Sequence, residues 1–291
     1  ETLLEVEESR RTHGMPVVPY VRRQGLFDAK VLAAHCVHVD EGEIRSLKNA
    51  RAGVAHNPTS NLKLGAGVAP VAKMLELGVD VGIGTDGPAS NNDLDMFEEM
   101  RLAALLAKGI GNDPTAVPAR DAVAMATRLG ARALHMDAFT GSLEPGKRAD
   151  LAVVDLDTPH NVPSFERDPH AIYARPVYTA KAADVVDVMC NGRWLMRERR
   201  LLTLDEAALA RDAREVAGRI DTFLTGRELS VLQKLVAVGG AIEQESFEVQ
   251  VKAHLPSKEE ALKALGRPEL TIVKKSRYHQ FDTYWSFEDS A

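Results

Sequence analysis

The feature that most constrains the fold is an alternation of short apolar runs with longer segments of helical period over residues 1–140. The runs at residues 31–37, 53–56 and 80–84 are rich in Val, Ile and Ala and almost continuously apolar. Parallel strands that are buried on both faces have this composition. We therefore predict an α/β fold. Three helices are predicted. The first covers residues 70–77, the second begins at Asn91 or Asn92 and has Asp93 and Asp95 in its first turn, and the third follows Pro118.

Polar side chains lie near the end of each predicted strand. His35 belongs to the first run, His56 and Asn57 end the second, and Asp86 follows the third. Parallel barrels place their active sites at the C-terminal ends of the strands, so we expect His35 and Asp86 at one rim. The alternatives are a turn aspartate and an ordinary core or surface histidine, and the residues alone leave both open.

The pattern changes after Gly141, where the turn-rich stretch GSLEPG is followed by a strand at residues 151–156. Residues 185–196 are predicted to form two strands joined by Asn191-Gly192, a dipeptide typical of hairpins. We next expect a charged helix over residues 205–224. It is followed by a predicted linker over residues 225–246, which contains Gly239-Gly240. Residues 247–255 then alternate between apolar and polar side chains, which predicts a further strand.

Composition narrows the class of protein. The net charge is −6 and small basic clusters are separated by acidic stretches, so nothing favours nucleic acid as a partner. No apolar run approaches the roughly 20 residues of a membrane span. The two cysteines, far apart in sequence, suit reduced thiols in a cytoplasmic protein. The chain begins with Glu and shows no signal peptide, so we expect it to be the remainder of something longer.

Three motifs, VLAAHCVH at residues 31–38, AHNPTSNLKL at 55–64 and GTDGPASNNDLDM at 84–96, resemble the methylthioadenosine and S-adenosylhomocysteine deaminases of the amidohydrolase superfamily. The resemblance continues through GSLEPGKRADL at 141–151 and covers roughly residues 1–204. Triazine-type hydrolases are similar in the same motifs. The resemblance implies a partial (β/α)8 TIM-type barrel in residues 1–140, with part of a small β-sandwich and a closing helix in residues 141–224.

The resemblance also assigns roles to single residues. Asp86 matches the aspartate that binds the one divalent metal, Zn²⁺, and takes a proton from the attacking water. His35 matches a histidine that faces this water or the leaving group, and Glu1 matches a glutamate that passes a proton to the departing ammonia and contacts substrate. Ser90 matches a residue at the substrate end, and its alternative is an N-terminal cap for a helix that begins at Asn91. His56 and Asn57 are interpreted as structural.

The motifs that would supply the remaining metal ligands are not in this sequence. These enzymes use a His-x-His pair and a histidine three residues before the position of Glu1, whereas a catalytic zinc needs three protein ligands. We therefore expect the chain as given to be incomplete and inactive. The expected substrate of the whole enzyme is a nucleoside-like small molecule, homo-oligomerisation is left open, and the rival hypothesis is a non-catalytic binding or scaffold fragment.

Residues 247–291 resemble the opening of a CYTH domain, a triphosphate-binding tunnel fold. Glu248, Gln250 and Lys252 alternate on one face, where the family has a Glu-x-Glu-x-Lys strand. Gln250 replaces the middle glutamate, which weakens metal binding. The prediction is a partial triphosphate-binding module, and its alternative is an edge strand with its polar side in water.

Overall fold

A computed structural model describes residues 2–162 and 167–227 of the chain. Their first sheet has three parallel strands in the order β1 (Leu32–Ala34), β2 (Gly53–His56) and β3 (Val81–Ile83). All three strands therefore end at the same edge of the sheet, here called the rim. This confirms the predicted α/β fold with parallel strands, of which β2 and β3 are largely buried. The predicted burial of the first strand was wrong, because β1 lies at the edge of this sheet and two of its three residues are exposed. The strands at residues 31–37 and 80–84 are shorter than predicted.

Helices precede the sheet, connect its strands and follow it. Their bounds are α1 (Leu3–His13), α2 (Val17–Arg23), α3 (Glu41–Asn49), α4 (Pro58–Lys63), α5 (Val71–Glu76), α6 (Pro88–Asn91), α7 (Met96–Gly111), α8 (Ala119–Ala126) and α9 (Arg128–Ala133). The predicted helices at residues 70–77 and after Pro118 are confirmed as α5 and α8. The helix predicted from Asn91 or Asn92 was wrong: α7 begins at Met96, because the side chain of Asp95 accepts from the backbone N–H groups of Phe97 and Glu98 and caps the helix there.

The core lies between the sheet and these helices. Ile44 and Leu47 of α3, Met74 of α5 and Met125 of α8 are at most 1% exposed, as is Val54 of the central strand. Burying an aliphatic side chain of this size stabilises a fold by roughly 1.5–3 kcal/mol. The rim on which the strands end is therefore backed by a buried core.

One glycine shows how tightly the layers pack. A Cβ on Gly53, the first residue of β2, would lie 2.0 Å from the backbone oxygen of Ala133 in α9. No side chain fits at that distance, because real Cβ contacts are longer than 3.0 Å. Helix α9 therefore lies directly on the backbone of the central strand.

The second sheet is antiparallel and has the order β4 (Leu151–Val154), β5 (Val185–Cys190), β6 (Arg193–Arg197) and β7 (Arg200–Leu201). Helix α10 (Ala171–Tyr178) lies between β4 and β5 in the chain. The predicted hairpin at Asn191-Gly192 is confirmed: both residues have positive φ angles, 49° and 75°, as a two-residue hairpin turn requires. The predicted β-sandwich stays a prediction, and this sheet is the antiparallel part that the described residues contain.

Helix α11 (Glu206–Arg227) follows β7, and it extends three residues beyond the predicted end at 224. The chain divides into two compact units, Glu1–Ala213 and Arg214–Ala291. Most of the predicted linker at 225–246 and the whole CYTH-like segment at 247–291 lie outside the described residues, and the predicted domain boundaries stay predictions. Within residues 2–162 and 167–227, no helix is long and apolar enough to cross a membrane.

Candidate active site

Asp86 lies two loop residues beyond the end of β3, with its side chain at the surface of the rim. Its Oδ2 atom accepts hydrogen bonds from the hydroxyls of Ser60, at 2.7 Å, and Ser90, at 2.9 Å. Its Oδ1 atom accepts from the backbone N–H of Gly87 at 2.7 Å. The carboxylate is thus held in one orientation although it is exposed.

The same hydrogen bonds keep Asp86 ionised. The bond from Ser60 contributes most to lowering the pKa of Asp86 below its ordinary value, followed by those from Ser90 and Gly87. Hydrogen bonds to the charged form of a carboxyl group favour that form. Asp86 is therefore an anion at neutral pH, able to ligate a cation or accept a proton.

His35 follows β1 directly, in a strained backbone conformation. Its φ angle is 66° and that of Cys36 is 47°, a region that residues other than glycine occupy at a cost of about 1–3 kcal/mol. The backbone N–H of His35 donates to the carbonyl of Ala55 in β2 at 2.8 Å, which extends the parallel pairing by one residue. The hydrogen bond to Ala55 therefore fixes the backbone of His35 beside β2, and the left-handed φ angle sets the direction of its side chain.

The side chain of His35 contacts two amides. Its Nδ1 atom lies 2.8 Å from Oδ1 of Asn61 and 3.5 Å from Nδ2 of Asn57. Both residues come from the segment that follows β2. Asn57 also touches the other side of the rim, because a Cβ on Gly84 would lie 2.4 Å from its Oδ1 atom.

The short helix α4 after β2 connects the two predicted site residues, which the strand order keeps apart. Ser60 and Asn61 are neighbours in α4 and are at most 1% exposed; the first contacts Asp86 and the second contacts His35. The sequence did not predict a role for either residue, because only His56 and Asn57 of the motif at 55–64 were interpreted, and both as structural. The available signal was the run of small polar side chains in PTSNLK, which a purely structural helix does not require.

His56 and Asn57 are 1% and 4% exposed, which supports their interpretation as structural. Burial, with a smaller contribution from the neighbouring His35, lowers the pKa of His56 to about 4. His56 is therefore neutral at physiological pH. Its Nδ1 atom is buried and has no hydrogen-bond partner among the described residues.

A buried carboxylate joins the segments that follow β2 and β3. Glu99 of α7 is 1% exposed and accepts from the backbone N–H of Thr59 at 3.1 Å and from the amide of Asn91 at 2.6 Å. Burial raises the pKa of Glu99, and the hydrogen bonds from Thr59 and Asn91 oppose this effect. Glu99 thereby fixes α4 relative to α6, the two helices whose serines hold Asp86.

Ser90 lies inside α6 and is 8% exposed. The alternative prediction, that Ser90 caps a helix beginning at Asn91, was wrong, because α6 ends at Asn91 and the hydroxyl of Ser90 bonds to Asp86 instead. A role for Ser90 at the substrate end stays a prediction. Glu1 lies outside the described residues, so its predicted roles also stay predictions.

The described residues do not form a complete metal site. Within residues 2–162 and 167–227, no group of three or more His, Cys, Asp and Glu side chains is arranged to hold a metal ion. Asp86 has carboxylate oxygens that could ligate a cation, and the other predicted site residue, His35, contacts Asn61 through Nδ1. A catalytic zinc needs three protein ligands, so the described residues do not fit the ion by themselves.

The sequence profile of the amidohydrolase family matches residues 1–195. This match covers more than half of the chain, and it agrees with a parallel sheet whose rim holds polar side chains. The chain belongs to the amidohydrolase family.

The chain is similar to several deaminases. It is 50% identical over 217 residues to a 5-methylthioadenosine/S-adenosylhomocysteine deaminase from Dictyoglomus thermophilum, covering 75% of this chain and 50% of that protein. It is 47% identical over 206 residues to a 5'-deoxyadenosine deaminase from Methanothermobacter thermautotrophicus, covering 71% and 47%. A crystal structure of an adenosine deaminase from Xanthomonas campestris with bound zinc superposes with a TM-score of 0.72 at 40% identity, covering 76% and 49%.

The chain thus spans about half the length of the curated relatives that it matches. The superposition confirms the predicted fold class, a partial barrel of the amidohydrolase type. The substrates and the zinc named above are properties of those proteins.

Proposed function

We propose that this chain forms part of a metal-dependent hydrolase that deaminates a nucleoside of the methylthioadenosine or S-adenosylhomocysteine type. The observation that carries the proposal is the pairing of an ionised, oriented Asp86 with His35 across the rim through α4. Relatives at 47–50% identity are deaminases of adenosine derivatives. A related aromatic amine is the alternative substrate.

Hydrolytic deamination exchanges an amino group for the oxygen of water: a C–O bond forms at the ring carbon, the C–N bond breaks and ammonia leaves. A carboxylate offers about four acceptor positions. Hydrogen bonds from Ser60 and Ser90 occupy the two on Oδ2 of Asp86, and the bond from Gly87 occupies one on Oδ1. Oδ1 is therefore the atom of Asp86 that has an open acceptor position, through which the carboxylate would ligate the metal or receive the proton of the attacking water.

The other proposed roles concern charge and proton transfer. His35 stabilises the charge that develops on the water or the leaving group, Glu1 delivers a proton to the ammonia and contacts substrate, and Ser90 lines the substrate end while it holds Asp86. General acid and base groups of this kind typically accelerate a reaction by 10²–10⁴-fold. The roles are compatible with the half-exposed side chain of His35 and the exposed one of Asp86.

One divalent metal, Zn²⁺, is proposed as the cofactor, with Asp86 as the ligand from the described residues. When bound, such an ion lowers the pKa of a coordinated water from about 16 towards 7. The zinc-bound deaminase structure supports this choice. The remaining ligands must come from outside residues 2–162 and 167–227, because no three-ligand group lies within them.

The test is ammonia release by the 291-residue chain and by any longer gene product that contains it. The substrates are methylthioadenosine, S-adenosylhomocysteine, 5'-deoxyadenosine, adenosine and a triazine. We expect activity in the longer product, loss on chelation, recovery with Zn²⁺, and at least a 10³-fold loss in Asp86→Asn. The matched control Asp93→Asn changes an exposed aspartate that follows α6, whereas Asp86 precedes this helix, and it should retain activity. Retained activity in Asp86→Asn would remove Asp86 from the mechanism.

A second hypothesis is that the 291-residue chain is a non-catalytic binding or scaffold fragment. The incomplete ligand set of the described residues favours it. Elemental analysis separates the two: stoichiometric zinc in the purified 291-residue chain would contradict the fragment hypothesis, and its absence together with no ammonia release would support it.

A further inference from the structure

Asn61 has no role in the chemistry proposed above, yet its side chain lies closer to Nδ1 of His35 than that of Asn57 does. Its Oδ1 atom lies 2.8 Å from Nδ1 of the imidazole. An amide oxygen only accepts hydrogen bonds, so this contact requires a proton on Nδ1. The neutral ring then has its lone pair on Nε2.

Asn57 competes for the same atom. Its NH2 group lies 3.5 Å from Nδ1 of His35 and would need a lone pair there, which is the opposite tautomer. The two contacts cannot both be satisfied. Because 3.5 Å lies beyond the ordinary range of about 2.7–3.2 Å and 2.8 Å lies within it, the bond to Asn61 prevails.

Asn61 is itself held firmly. Its side chain is 1% exposed, its backbone N–H donates to Asn57 at 3.0 Å, and its carbonyl accepts from Ala66 at 2.8 Å. The preceding turn of α4 is fixed by the bond from Thr59 to buried Glu99. An acceptor so rigidly placed can select one ring orientation of His35.

The buried side chain of Asn61 lowers the stability of the fold. Its Nδ2 atom is buried and has no hydrogen-bond partner among the described residues. A buried donor without a partner costs about 1–3 kcal/mol. A leucine of similar size would avoid this cost, so stability alone does not explain an asparagine at this position.

We propose that Asn61 is the positioning residue of His35: its Oδ1 fixes the imidazole with the proton on Nδ1, so that Nε2 is the nitrogen that accepts or delivers a proton in the reaction. The inference rests on the proposed function only in making His35 a reacting group. The tautomer itself is a property of the resting protein. It can be measured without metal, substrate or turnover.

The experiment is long-range ¹H–¹⁵N NMR on the 291-residue chain labelled at histidine nitrogens, about two pH units above the ordinary histidine pKa of roughly 6.5, where the rings are neutral. His35→Asn identifies the signals of His35 by their loss. We expect Nδ1 to be protonated and Nε2 to have the shift of an unprotonated nitrogen. A wild-type His35 protonated on Nε2 overturns the proposal, whatever the variants do.

Two substitutions separate positioning from packing. Asn61→Asp keeps an oxygen acceptor and should keep the Nδ1–H tautomer, whereas Asn61→Leu keeps the size and should shift His35 towards Nε2–H. Asn161→Leu removes another buried asparagine, one that contacts Thr158, Thr179 and Asp184, and should leave His35 unchanged. An unchanged tautomer in a folded Asn61→Leu contradicts the proposal.

Activity gives an independent readout in a longer product that deaminates. Loss of a residue that orients a catalytic group typically lowers activity by about 10–100-fold. We expect a loss of this size in kcat for Asn61→Leu, with KM little changed. Asn61→Asp should restore kcat. If no product deaminates a nucleoside while His35 shows the expected tautomer, the proposed function fails and the positioning of His35 by Asn61 stands.

Discussion

His35 and His56 both lie at the C-terminal edge of the same parallel sheet, yet the fold places them in different surroundings. His35 and Asp86, the outer rim, are accessible and are held by hydrogen bonds to their polar atoms. His56, Asn57 and Glu99, the inner rim, are at most 4% exposed. Burial keeps His56 neutral by lowering its pKa to about 4 and raises the pKa of Glu99.

The difference shows that residue type and strand position do not separate chemistry from architecture. A histidine and a carboxylate occur in both parts of the rim. Only the outer pair has access to a ligand. The inner rim holds the helices α4 and α6, which in turn supply the hydroxyls and the amide that orient the outer pair.

The distinction between the outer and the inner rim would be contradicted most clearly by an outer-rim substitution that lowers stability instead of activity. His35→Asn suits the left-handed backbone at this position, because asparagine tolerates positive φ. We expect a 10²- to 10³-fold loss of kcat/KM in a deaminating product, about 3–4 kcal/mol of transition-state stabilisation, and an unchanged denaturant midpoint. A stability loss larger than the activity loss would place His35 with the inner rim.

The buried histidine should make the fold sensitive to acid. Its pKa is lowered from 6.5 to about 4, so between these values the unfolded chain binds the proton and the folded chain does not. Stability is therefore fully present above pH 6.5 and falls as the pH decreases towards 4, by about 3 kcal/mol in all at 1.36 kcal/mol per pKa unit.

Denaturant titrations across this pH range measure the effect. His56→Leu removes the titrating group and should flatten the profile, whereas the exposed control His13→Gln should follow the wild type. An unchanged acid sensitivity in a folded His56→Leu would show that His56 is not the group responsible.

Glu99→Leu tests whether the inner rim is architecture. The substitution leaves the N–H of Thr59 and the amide of Asn91 without their acceptor, and we expect a loss of about 2 kcal/mol in the free energy of unfolding. Glu98→Leu changes the adjacent exposed glutamate and should have little effect on the denaturation midpoint. Equal effects of the two substitutions would argue against the bonds to Thr59 and Asn91 as the cause.

The smallest expected effect concerns the link between the two parts of the rim. Ser60→Ala removes one of three hydrogen bonds to Asp86, which is worth about 1 kcal/mol. We expect kcat/KM to fall about fivefold. Asp86 should remain ionised, because the hydrogen bonds from Ser90 and Gly87 also lower its pKa. Ser9→Ala removes a buried hydroxyl bonded to Met15 and serves as control for stability. A loss as large as that of Asp86→Asn would mean that Ser60 takes part in the chemistry itself.

Much of the fold was predictable because its signals are local. Apolar runs gave the parallel strands, and Asn191-Gly192 gave the hairpin, since few other dipeptides adopt its φ angles. The start of α7 was not predicted, because several residues between Ser90 and Asp95 are able to cap a helix. Which of them does so depends on Ser90 bonding to Asp86 and on Asn91 bonding to Glu99.

Sequence by itself determined the class of fold, the amidohydrolase motifs and the two outer-rim candidates, His35 and Asp86. Only the tertiary structure decided what connects them. Ser60 and Asn61 are 26 residues from Asp86 and His35 respectively, and no local pattern reports a contact of that separation. Helix α4 follows the central strand β2 and therefore lies between the ends of β1 and β3, because parallel strands end at one edge. This placement makes a helix that the sequence did not predict the element that orients the site.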